Sequence, residues 1–204
     1  MINKDDLAEN KAHDLLFCEF TDDDYEKASN CFEKMGEDFI DYGFVFCYSL
    51  KNKIADIVKG RVPYSVIAEF EDEASGESEK LFFRLCLILD NLNKLNFDEP
   101  TVNVNDFILN LKIGVIITKN LIFSEEKYSK IEQQNKLECD SFDEYLDKCE
   151  ELEDQIIELV KEKTDSQYID KFIEINDKQL FLKDASTYYY LQQKLNELEK
   201  LLKQ

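Results

Sequence analysis

Between Leu81 and Phe123 the chain carries two apolar stretches that are too continuous to face water. Leu81, Phe82, Phe83, Leu85, Cys86, Leu87, Ile88 and Leu89 follow one another with Arg84 as the only charge. After a polar gap containing Pro100 come Phe107, Ile108, Leu109, Leu111, Ile113, Val115, Ile116, Ile117, Leu121, Ile122 and Phe123. A helix that is apolar on all sides is a buried helix. The remaining segments are amphipathic or polar and read as a jacket around this pair. The fold expected is mainly α: a compact helical bundle with a buried apolar helix pair, a C-terminal antiparallel helical hairpin and room for a minor β-element. A single domain spans 1–204, with a subdivision into a core over 1–123 and a hairpin over 124–204.

Capping signals place the other helices. Thr21-Asp22-Asp23-Asp24 is a helix start, with a carboxylate three residues after the cap. Tyr25, Ala28, Cys31 and Met35 continue it at helical spacing, and Gly36 is placed to end it. A helix follows over 37–59, although the aromatic run 42–48 also reads as a strand. Segment 62–70 is short and ambiguous. The stretch from Glu69 to Glu79 carries Glu69, Glu71, Asp72, Glu73, Glu77 and Glu79 with no basic residue, and reads as a loop. Ser78 can cap a helix over 79–95 and Asn105 one running to 120. The β-branched run in 113–118 makes a buried strand the competing reading. Ser124 opens a further polar helix to 137. Ser141-Phe142-Asp143-Glu144 is a capping box, and Phe142, Tyr145, Cys149, Leu152, Ile156 and Leu159 then form a coiled-coil-type seam. A matching seam, capped by Asp184 or Ser186, holds Tyr188, Leu191, Leu195, Leu198 and Leu202. Between the seams, 172–182 reads as a helix end with a short strand or a small hairpin. Two seams of equal length imply antiparallel packing of the two helices, and they also admit a homodimer.

Charge narrows the functional classes. The net charge is -20, from 45 acidic and 25 basic residues in 204. Such a chain repels nucleic acid and anionic lipid and attracts basic surfaces. Hydrophobic residues at 44% nonetheless allow a packed core. Lys112 and Lys119 interrupt the longest apolar run, so no membrane span is expected, and the acidic start at 1–10 does not read as a signal peptide. Cys18, Cys31, Cys47, Cys86, Cys139 and Cys149 form no Cys-x-x-Cys pair and sit among apolar neighbours, which suits free thiols in a reducing, cytoplasmic setting.

Catalytic equipment is scarce. The single histidine, His13, would have to serve any Ser-His-Asp or Cys-His mechanism, and it reads instead as a surface residue beside Asp14. Zinc spacing, a calcium loop and a glycine-rich phosphate cradle are all missing. Neither a cofactor nor a catalytic residue is expected. Glu150, Glu153 and Asp154 share a helix face. They are the material for the alternative reading, a metal-dependent all-α enzyme of the nucleotide-pyrophosphatase type. That chemistry needs a facing carboxylate pair, for which Asp90 and Glu79 are weak candidates, while the di-iron version needs a Glu-x-x-His that the chain lacks. Arg84, alone on an apolar helix, is expected to pair with a buried carboxylate or a carbonyl.

The leading expectation is a non-enzymatic acidic binding protein that inhibits or neutralises a basic, nucleic-acid-handling protein: an inhibitor, immunity or anti-defence (anti-CRISPR-type) protein, acting as a nucleic-acid mimic. Its partner-binding candidates are Asp22, Asp23, Asp24, Glu69, Glu71, Asp72, Glu73, Glu150, Glu153 and Asp154. Tyr189 joins them, because three adjacent tyrosines on one helix cannot all face a core. A helical scaffold or oligomer subunit held by the two seams is the remaining alternative.

Overall fold

The computed structural model describes residues 4–32, 38–95, 102–119, 139, 141–180 and 186–203. The expected helix at 124–137, the stop at Gly36 and the cap at Asp184 lie outside the described residues. Among those described the fold is mainly α. No strand occurs there, and the minor β-element reduces to an isolated bridge between Lys59 and Val62. The chain divides into two compact units, Met1–Ile108 and Leu109–Gln204.

The first unit holds helices α1 (Lys4–Leu16), α2 (Asp22–Phe32), α3 (Asp38–Val58), α4 (Tyr64–Glu73) and α5 (Glu79–Asn93). Helix α5 is its centre, packed against α1, α2 and α3. Phe82, Leu85, Cys86, Ile88, Leu89 and Leu92 are all fully buried along it, which is why this stretch reads as apolar on every side. Ser78 caps it as expected, its Oγ accepting from the Leu81 N–H at 3.0 Å. The aromatic run 42–48 is helix rather than strand. Phe46, Cys47, Leu50, Ile54 and Val58 bury one continuous helical stripe against α5, and that stripe outweighs aromatic strand propensity. Segment 62–70 likewise resolves as helix. After Gly60 turns the chain at φ 79°, Pro63 precedes the first turn of α4, and Ile67 and Phe70 face the core. The acidic loop therefore shrinks to the residues after Glu73, and Glu69 to Glu73 belong to a helix.

Helix α6 (Val104–Thr118) crosses from one unit to the next in sequence. Its start is capped by Asn103, not Asn105: the Asn103 side-chain oxygen accepts from the N–H groups of Asn105 at 2.9 Å and Asp106 at 3.2 Å. The β-branched run stays helical because Ile113 and Ile117 enter the core of the second unit. The first apolar stretch is a buried helix of the first unit, and the second is helical as far as Thr118, with Ile113 and Ile117 in the core of the second; Leu121, Ile122 and Phe123 lie outside the described residues.

That second unit adds α7 (Phe142–Val160), α8 (Ser166–Leu180) and α9 (Ser186–Lys203). Ser141 caps α7, accepting from the Glu144 N–H at 3.1 Å. Residues 172–180 are one continuous helix, not a helix end and strand, since Phe172 and Asn176 are buried one turn apart on the same face. This helix changes the topology. Glu153 of α7 meets Asn176 of α8, and Phe172 of α8 meets Lys194 of α9, so each consecutive pair is antiparallel. The two seam helices α7 and α9 therefore run parallel. Tyr145 lies against Thr187 and Tyr188 at one end, and Leu159 lines a groove with Leu195 at the other. The antiparallel hairpin of this half is α7 with α8. The seams close on their own unit: Tyr145, Cys149, Leu152, Ile156, Leu191 and Leu198 all belong to its core. Gly114 permits the close approach of α6 and α8, because a Cβ there would meet the Tyr168 ring at 2.7 Å.

Candidate functional site

The acidic residues fall into two kinds, those used by the fold and those left to solvent. Asp24 is of the first kind. Its carboxylate accepts from the Thr21 N–H at 2.9 Å and the Thr21 hydroxyl at 2.7 Å, and its own N–H donates to Thr21 Oγ1 at 3.3 Å. The Thr21 hydrogen bonds hold its pKa below the ordinary carboxylate value. Asp22 and Asp23 are exposed in the same first turn, where negative charge suits the helix dipole.

On α4, Glu73 is committed to Arg84, with Oε1 2.7 Å from Nη2. The same guanidinium donates to the Leu16 carbonyl at 3.3 Å. Arg84 thus takes both a carboxylate and a carbonyl, as its isolation in an apolar helix requires. Glu73 remains exposed while it holds this ion pair. Glu71 is half-buried, and its main-chain carbonyl accepts from Lys51 Nζ at 3.3 Å. Glu69 and Asp72 are exposed and have no ion-pair partner among the described residues.

On α7, Glu150 and Asp154 are exposed, but Glu153 is turned inward. Burial pushes its pKa up, opposed by a 2.9 Å hydrogen bond from Asn176 Nδ2. Glu153 is thus half-buried and held by an amide, unlike its exposed neighbours Glu150 and Asp154. Asn176 Oδ1 is buried with no hydrogen-bond partner. Among the described residues no group of three or more Asp, Glu, His or Cys side chains converges as a metal site would need.

Tyr189 does not present itself to a partner. It is only 2% exposed and packs edge-on against Tyr188 at 5.8 Å. Tyr190 is buried too, and its hydroxyl donates to the Lys119 carbonyl. The exposed aromatics are elsewhere. Phe44 is 58% exposed and Tyr48 52%, their rings stacked at 6.1 Å with an interplanar angle of 14°. A signal existed in the sequence: at about 100° per residue Tyr48 falls nearly opposite Phe46 and Leu50, off the face that they bury.

Other groups carry little chemistry. His13 lies 3.5 Å from Asp14 on the surface. Cys18, Cys47, Cys86, Cys139 and Cys149 are free thiols. Burial pushes the thiols of Cys18, Cys47, Cys86 and Cys149 up, away from the reactive thiolate. Lys148 Nζ does approach Cys139 Sγ at 3.7 Å, a basic neighbour nine residues away in sequence. An open cavity of about 930 Å³ in the first unit is lined by Cys18, Tyr25, Glu73, Lys80 and Arg84, but its arginine is already paired. No helix among the described residues is long and apolar enough to cross a membrane. Comparison with protein-family models, curated proteins and solved structures gives no match to this chain.

Proposed function

We propose that this chain is a non-enzymatic acidic binding protein that occupies and neutralises a basic surface of another protein, of the kind that handles nucleic acid. The observation that supports this reading is a set of exposed carboxylates that the fold leaves without an ion-pair partner. Asp22, Asp23, Glu69, Asp72, Glu150 and Asp154 lie exposed with no ion-pair partner among the described residues. Like charges held together on a surface add self-repulsion and little stability. A basic partner relieves that repulsion on binding, and its phosphate-binding surface is already arranged to accept rows of negative charge. Inhibitors, immunity proteins and anti-defence proteins act in this way without chemistry of their own.

The test is affinity capture from the native host and from its co-resident phage or competitors, followed by reconstitution with each purified candidate. The reading expects a retained protein with a basic, nucleic-acid-binding face, released by salt and by competing nucleic acid. A retained partner that is neutral or acidic, or one whose own nucleic-acid binding is unaffected by the chain, overturns it.

A further inference from the structure

The cavity of about 930 Å³ in the first unit opens where α1 and α4 end and α2 and α5 begin. That volume suits a small molecule. Arg84 lines it with a side chain only 17% exposed, yet both of its contacts, to Glu73 Oε1 and to the Leu16 carbonyl, fall on Nη2. No further hydrogen bond among the described residues engages Nη1 or Nε, and neither nitrogen is sealed in the interior. A guanidinium carries five N–H donors in a fixed fork, so donors remain for a ligand. Lys80, four residues earlier on the same face of α5, also lines the cavity and has no ion-pair partner among the described residues. Its Nζ lies 5.0 Å from the centre of the Tyr25 ring. Glu73 gives Oε1 to the ion pair and stays exposed, so a carboxylate stands beside the spare donors. The opposite character comes from Phe17, Phe20 and Tyr25, of which the last two meet edge-on at 6.3 Å. Burial raises the pKa of Tyr25, and the charge of Arg84 opposes it, so the guanidinium lies near that aromatic wall.

We propose that this cavity binds a small zwitterion with an aromatic body, the chemistry of a free aromatic α-amino acid. The ligand's carboxylate pairs with Arg84 and Lys80, its ammonium with Glu73, and its ring packs among Phe17, Phe20 and Tyr25. The charges on the wall select this class. A simple anion is repelled by a chain of net charge -20 and finds one of the two cations already offset by Glu73. A simple cation would have to sit beside both Arg84 and Lys80. A zwitterion carries no net charge and meets both signs. The site is separate from the acidic-binder reading, whose exposed carboxylates lie outside the cavity.

The probes are L-phenylalanine, 3-phenylpropionate, which lacks the ammonium, and 2-phenylethylamine, which lacks the carboxylate. Each is titrated against the full chain by calorimetry and by amide chemical shifts. The variant is Lys80→Gln; the side chain is exposed, so its urea midpoint should match the parent and report that the fold is intact. L-phenylalanine should bind, shift amides over 17–25 and 73–84, and exceed each analogue by at least about tenfold in affinity. Lys80→Gln should weaken L-phenylalanine and 3-phenylpropionate several-fold and leave 2-phenylethylamine unchanged, a split that a merely structural lysine would not give. Absence of L-phenylalanine binding up to about 10 mM overturns the proposal. So does binding that shifts other segments, or that is the same in the variant. If 3-phenylpropionate binds as tightly as L-phenylalanine, the ammonium is not read and the zwitterion assignment is wrong.

Discussion

Lys194 places its Nζ 2.8 Å from the carbonyl oxygen of Ile117, at the C-terminal end of α6. The carbonyls of Ile116 and Lys119 lie at 2.6 and 2.7 Å from the same nitrogen. A helix leaves its last carbonyls without intrahelical donors, and its C-terminus carries partial negative charge. One ammonium answers both needs. It is fully buried, with the Tyr190 ring centre 4.2 Å away, and burial pulls its pKa down to about 7 against the three carbonyls that favour its charge. A lysine in an amphipathic C-terminal helix is thereby the polar centre of the second unit.

Lys194→Met should lower stability by at least about 1–3 kcal/mol, since it leaves buried carbonyls without their donor. A pH signature separates this from simple repacking. The folded pKa lies below the unfolded one, so between them the unfolded chain holds more protons and stability rises with pH. The parent's urea midpoint should gain on the variant's from about pH 7 to about pH 9, below the range where the tyrosines titrate. Parallel pH profiles for the two proteins would contradict this account.

Glu153 acts in the opposite sense. Its folded pKa is raised, so the folded chain holds the extra proton and stability falls as pH rises from the ordinary value of 4.5 through the folded one. Glu153→Gln keeps an acceptor for Asn176 and removes the titration. Thermal melts over that window should show a smaller fall for the variant, and a larger fall would mean that the carboxylate is stabilised where it sits.

Gly114→Ala decides between propensity and packing. Alanine in a helix interior is worth about 1 kcal/mol over glycine. The Tyr168 ring, 2.7 Å from where the Cβ would be, should reverse that sign, with a loss of about 1–3 kcal/mol typical of overpacking. A raised melting temperature would show that α6 and α8 separate easily.

The seam leucines should differ among themselves. Leu198 is fully buried and Leu152 nearly so, whereas Leu195 is half-buried at the groove beside Leu159. Truncation to Ala should cost about 2–5 kcal/mol at Leu152 and Leu198, and less at Leu195. Equal losses at all three in urea unfolding would mean that the groove is closed in solution.

The legible parts of this fold are local. Ser78, Ser141 and the Thr21–Asp24 pair announce their helices because a cap and its target lie three residues apart. Asn103 and Asn105 can both cap, and the choice of Asn103 depends on backbone geometry at the first turn. Long-range relations were not legible. Nothing near Lys194 in sequence points to a helix end more than 70 residues earlier. The parallel course of α7 and α9 turns on 172–180 being helical, which its mixed composition left open. The candidate site was legible as charge but not as geometry. Glu73 and Glu153 are chemically the same as Glu69 and Glu150, and only the contacts to Arg84 and Asn176 set the first two apart.

The central claim is that the unused carboxylates are the recognition element, and association kinetics with the captured partner test it most directly. Association rates are measured across ionic strengths that shrink the Debye length from about 10 Å toward 3 Å. The parent is compared with Glu69→Gln/Asp72→Asn and with Asp22→Asn/Asp23→Asn. The account predicts a rate that falls steeply with salt, slower and less salt-dependent in both variants. It also predicts an unfolding midpoint nearly unchanged in the first variant and slightly lowered in the second, whose aspartates also serve a helix start. An association rate insensitive to salt and to both double substitutions would contradict it.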